Sequence, residues 1–68
     1  MKAVSGKDMC KALERQGWRL KRINGSHHIY TKPGTAATIP VPVHGNRDLK
    51  VGTQRDIMRQ AGLTEADI

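Results

Sequence analysis

His27 and His28 follow directly on a Gly25-Ser26 step and lead into the apolar pair Ile29-Tyr30. Histidine is the side chain that both takes and gives a proton near neutral pH. Lys21 and Arg22 precede the turn and Lys32 follows the apolar run, so cations flank the histidines on both sides. A proton carrier beside cations suits one reaction class in particular. RNA is cut without metal when its own 2′-hydroxyl attacks the neighbouring phosphorus. That step needs a base, an acid for the departing 5′-oxygen and positive charge near the non-bridging oxygens. His27 could be the base or the acid, with Lys21, Arg22 and Lys32 as phosphate contacts. DNA, lacking the 2′-hydroxyl, would be bound at most. A plainer role is equally written in these residues, because a histidine opening a hairpin strand is often only a turn residue or a hydrogen-bond donor. Spacing alone leaves both open.

The other two histidines are accessory candidates. On a regular strand His28 points to the face opposite His27, which favours a structural role for it. His44 lies beyond a proline-rich strand, either as a second proton carrier or as a cap on that edge. A metal site would require all three to converge with a carboxylate, and no Asp or Glu lies between residues 15 and 47. Neither metal nor other cofactor is expected. Cys10, the only cysteine, allows no internal disulfide and no thiolate cluster. Trp18 is read as core, while Tyr30 could pack inside or stack on bases.

The charge is polarised. Residues 1–32 hold eight basic groups against two acids, whereas residues 33–68 hold four of each sign, so the whole net charge of +6 sits in the first half. Such a field points to a polyanion, and nucleic acid fits it better than a membrane surface because no strongly amphipathic basic helix appears. With 68 residues and 37% hydrophobic content the chain makes one domain, 1–68, with a thin core and any site on an open surface. The opening Met1–Val4 has no apolar leader and no run reaches spanning length, so a cytoplasmic chain, monomeric when free, is expected.

The elements that must position these residues are legible. Ser5 and Asp8 fit a capping box for a helix over 6–16, whose buried stripe is read as Met9, Ala12, Leu13 and Gln16, with Gly17 as the stop. Trp18 to Asn24 alternates apolar and basic residues as a half-buried strand, with an irregularity near Arg22. Asn24-Gly25 signals a hairpin returning through His27 to Lys32. Ala37 to Val43 alternates again, and Pro40 and Pro42 make it an edge strand. A last helix starts near Val51 or Gly52, with Thr53 and Asp56 as a second capping-box pattern and Ile57, Met58 and Ala61 as its stripe. Gly62 ends it, and Thr64 to Asp67 could form a short terminal turn. The order is helix, three antiparallel strands, helix: an α+β fold with both helices on one sheet face and the other face open.

Taken together, Gly17-Trp18, Gly25-Ser26-His27, Ile39-Pro40-Val41-Pro42-Val43-His44, Gly52-Thr53 with Arg55-Asp56-Ile57, and Gln60-Ala61-Gly62-Leu63-Thr64 resemble the HicA toxin (YcfA-like) family over almost the whole chain. The resemblance implies a fold similar to a double-stranded RNA-binding domain. It further implies a type II toxin that cleaves messenger RNA and is held in check by a HicB-type antitoxin protein. The family's functional histidine follows Gly-Ser, which is His27 here; Ser26 beside it is expected to contact RNA together with Lys21, Arg22 and Lys32. Gln54 departs from the pattern, which usually has an apolar residue there, most often leucine, and so bears on how the second helix's first turn packs. The alternative reading is an RNA-binding module of the same fold that does not cut.

Overall fold

A computed structural model describes all 68 residues, running α1 (Gly6–Arg15), β1 (Arg19–Asn24), β2 (His27–Thr31), β3 (Thr38–Pro42), α2 (Val51–Ala61) and a terminal 3₁₀ turn (Glu65–Asp67). The expected α-β-β-β-α order is present, with the antiparallel sheet in the order β1-β2-β3.

Ser5 caps α1, its Oγ accepting from the Asp8 amide at 3.1 Å. Asp8 adds a negative charge in the first turn but does not reach back, so half of the expected capping box forms. At the other end Gly17 takes a φ of 93°. Its amide and that of Trp18 return to the Glu14 and Leu13 carbonyls, which closes the last turn and delivers Trp18 into the core. The same closure recurs after α2, where Gly62 and Leu63 donate back to Arg59 and Met58. α2 starts at Val51, as expected, but without the expected cap. Its cap is Lys50, with no side-chain bond, and Thr53 to Asp56 lie inside the helix.

Met9, Leu13, Tyr30, Ile39 and Val41 are essentially fully buried between the helices and one sheet face. Gln16 does not join them. It caps α1 in solvent and donates to the Asp67 carboxylate, while Arg15 donates to the Asp67 carbonyl, so the C-terminal turn is tied to the end of α1. The first strand also departs from the expected half-burial: Leu20 is 45% and Ile23 57% exposed. β1 is an edge strand, and both helices pack on β3, so the inner side of β1 is only partly covered.

Gln54 is a core residue in all but chemistry. It is 1% exposed, its Oε1 accepts from the Val4 amide at 3.2 Å and its Nε2 donates to the Lys2 carbonyl at 2.6 Å. With the Leu49 amide donating to Val4 and the Ser5–Asp48 bridge, this pins the N-terminal segment beside α2. The buried amide of Gln54 is therefore satisfied rather than disruptive. Gln54→Leu is expected to cost about 1–3 kcal/mol, because the buried Val4 amide is left without a partner and the Lys2 carbonyl loses its own. Urea denaturation checks this, and a variant as stable as wild type would show the clamp to be dispensable.

Tyr30 resolves to the core. It is 1% exposed and its hydroxyl donates to Glu14 Oε2 at 2.6 Å. Burial, reinforced by that bond, pushes the phenol far above its ordinary range, and burial likewise raises the Cys10 thiol. In the unfolded chain Tyr30 ionises near pH 10, whereas folded it holds its proton to higher pH. The unfolded state therefore binds fewer protons above about pH 10, and stability falls as pH rises through that range. The melting temperature of wild type should drop more steeply between pH 9 and 11 than that of Tyr30→Phe; parallel curves would remove Tyr30 from the effect.

Candidate active site

The hairpin determines where the histidines point. Asn24 pairs with His27, so the turn consists of Gly25 and Ser26, and Gly25 takes a φ of 63° while no non-glycine residue has positive φ. That is a II′ arrangement with glycine at the first central position, which matches the strand twist. The loop is thus Gly-Ser rather than the Asn-Gly of the sequence signal, although the hairpin itself is where that signal put it. β2 continues without interruption and the Val43 amide donates to the Ser26 carbonyl at 2.8 Å, extending the ladder to the turn.

Register then separates the two faces. Leu20, Tyr30 and Ile39 form one row, and Ile23, His28 and Val41 another; both rows belong to the helix-covered side. Asn24, His27 and Pro42 form a row on the open side, as do Arg22, Ile29 and Pro40, and Arg19, Thr31 and Thr38. His27 is exposed on the open face and His28 is half-buried on the other, as the alternation requires. The irregularity in β1 is a bulge between Leu20 and Arg22, so Lys21 and Arg22 together stand against Ile29.

The open face is cationic and unneutralised. Arg19, Lys21 and Arg22 are exposed, none of the three strands carries a carboxylate, and the chain's ion pairs, Met1–Glu65 and Arg59–Asp56, lie elsewhere. Ser26 is half-buried in the turn beside His27. Lys32 is not part of this cluster. It lies five residues along from His27, about 16 Å at strand rise, with its Nζ 5.9 Å from the Trp18 ring centroid.

His44 is exposed and lines an open cleft of about 600 Å³ with Pro42, Arg47, Asp48, Lys50 and Thr53 among its walls. Pro42 is the register partner of His27, so this cleft adjoins the histidine's end of the sheet. Arg47 and Lys50 are the residues that sequence reasoning missed. The 44–48 segment reads only as a polar loop, and nothing in its spacing says that it folds back next to β3. The structure brings His27, Ser26, Arg22 and the cleft together, and leaves His28 and Lys32 apart.

A family model described as the HicA toxin of bacterial toxin-antitoxin systems matches residues 6–63, from the first residue of α1 to Leu63. This chain is a member of the HicA toxin family. No curated protein sequence matches it. Family membership assigns it the toxin role and implies an antitoxin partner. No helix is long and apolar enough to cross a membrane.

Proposed function

We propose that this HicA-family chain is an endoribonuclease that cuts messenger RNA without metal, with His27 as its proton-transfer group, and that a HicB-type antitoxin neutralises it. The observation that carries this reading is the placement of an exposed His27 on the sheet face that carries Arg19 and Arg22 and no carboxylate. RNA laid across that face meets an imidazole able to take the 2′-hydroxyl proton. The O2′–P bond then forms as the P–O5′ bond breaks, and the 5′-oxygen must receive a proton. Lys21 and Arg22 stand near the turn to offset the charge that grows on the non-bridging oxygens. Ser26 can hydrogen-bond a phosphate there, and Lys32 would contact the strand farther along. His44, in the cleft that Pro42 also lines, is the candidate for the second proton carrier, with Arg47, Asp48 and Lys50 in the same cleft.

One observation favours a second reading. His27 takes part in no side-chain hydrogen bond, so nothing within the chain orients its ring. A module that only holds RNA would need no such orientation. Incubation of a defined messenger RNA and the matching DNA with the purified chain, chelator present, separates the two. Cleavage of RNA alone supports the nuclease, whereas salt-sensitive binding without cleavage supports the module.

A further inference from the structure

The loop after β3 is tied down on both flanks. The Val43 amide donates to the Ser26 carbonyl at 2.8 Å and Val43 packs against the core, so the alternation of β3 runs on past Pro42. It sends His44 to the side of Pro42 and His27. The Arg47 amide then donates to the His44 carbonyl at 3.1 Å and closes a four-residue turn. The Cα atoms of His44 and Arg47 are thereby held within about 7 Å of each other. Beyond the turn the Leu49 amide donates to Val4 at 2.8 Å, Leu49 is buried, and the Lys50 carbonyl accepts from Gln54 at 2.9 Å. The cleft that these residues enclose, at about 600 Å³, has the scale of a site for one small ligand.

We propose that this cleft is the subsite for the nucleotide that departs in the cleavage, with Arg47 and Lys50 binding the phosphate on its 3′ side. The proposal rests on the nuclease reading above and says which way the RNA strand runs from His27. The 5′-oxygen that leaves belongs to the nucleotide after the scissile phosphate, so a cleft that holds His44 as the acid holds that nucleotide too. Charge and composition select the occupant. Arg47 and Lys50 are exposed, and both ion pairs of the chain lie elsewhere. Asp48 also lines the cleft, yet it pairs with neither of them, so two cations stand against one carboxylate. Thr53 adds a hydroxyl. Leu49 is the one hydrophobic residue on the walls and is itself buried, which leaves a protein partner no apolar anchor to grip. A phosphodiester needs none: a guanidinium, an ammonium and a hydroxyl are the donors that phosphate oxygens take.

The test uses the full chain and a short RNA spanning one mapped cut, in which a methylphosphonate replaces one phosphate at a time and so removes its charge. Neutralising the phosphate on the 3′ side of the departing nucleotide should raise the wild-type KM roughly 10- to 100-fold, the span of a charged hydrogen bond. The kcat should stay nearly unchanged, because the contact is made before and during the reaction alike. The double variant R47Q/K50Q on unmodified RNA should show the same rise in KM, and should melt as wild type does because both side chains are exposed. Combined, the two changes should cost no more than either alone, since each removes one side of the same contact. Additive losses overturn the subsite, as does coupling to the phosphate on the 5′ side of the scissile one; both leave the nuclease reading standing. A variant that keeps the wild-type KM but loses antitoxin affinity would make the cleft a protein contact instead. A wild-type chain that binds RNA without cutting it overturns the nuclease reading and the subsite with it, since no nucleotide departs.

Discussion

His27→Ala is expected to lower cleavage of a defined messenger RNA by roughly 10²–10⁴-fold, the usual contribution of a positioned acid or base. RNA binding and stability should remain near wild type. The separation follows from where the residue sits. His27 is exposed, makes no side-chain hydrogen bond and packs beneath no helix, so truncation removes a proton carrier and almost nothing else; exposed substitutions of this kind fall within about 0.5 kcal/mol. Binding is expected to persist, since Arg19, Lys21 and Arg22 are the proposed phosphate contacts. His28→Ala provides the contrast, since that ring lies half-buried beside Val41 on the helix-covered side and its loss should register in stability before activity. Single-turnover cleavage, gel-shift binding and thermal melts on both variants would read all three quantities. Equal cutting by wild type and His27→Ala would move the chemistry to His44 in the adjoining cleft or to His28. Loss of binding together with cutting would make His27 a contact rather than a proton carrier.

Gly6→Ala is expected to destabilise the fold by about 2–4 kcal/mol, at the upper end of overpacking effects, and to lower Tm by roughly 10 °C or more. Gly6 opens α1 directly against the end of β3. A Cβ placed there would overlap the Pro42 carbonyl oxygen and lie 3.1 Å from both Pro42 C and Val43 Cα. All three atoms are backbone, so no side chain can swing aside to make room. The relief must come from moving α1 away from β3 or from bending β3 near Pro42. Because Pro42 is the register partner of His27 and walls the cleft that holds His44, the same displacement should weaken cleavage even in molecules that remain folded. Thermal denaturation with cleavage assayed well below the melting point distinguishes the two losses. A Gly6→Ala chain with wild-type Tm would mean that the helix start is not held as tightly as this contact indicates. Gly52 is the natural control, since a Cβ there meets nothing within 4 Å.

Local chemistry decided much of this molecule before any packing. Ser5, Gly17 and Gly62 mark helix ends because a hydroxyl beside free amides and a residue tolerant of positive φ act within a few bonds of themselves. Ile39, Val41 and Val43 announce an inward row because side chains alternate on any strand. The same alternation separates His27 from His28 once β2 is known to be regular. Charge polarity was also legible, being a count along the chain.

Only the tertiary structure decided what depends on which element covers which. Leu20 and Ile23 read as half-buried from their alternation, yet they are exposed because the helices pack on β3 and cover the β1 edge only in part. Gln16 fits the apolar stripe by spacing but is drawn into solvent by Asp67, 51 residues away. Gln54 looks like a flaw in a helix until the Lys2 and Val4 backbone arrives to occupy both ends of its amide. Arg47 and Lys50 come beside the His27 row only because the chain turns back after β3, and Lys32 is removed from it only by the length of β2. Capping, turn and alternation preferences act between neighbours and are written in order along the sequence. Burial and the composition of a site are sums over residues that the fold alone brings together.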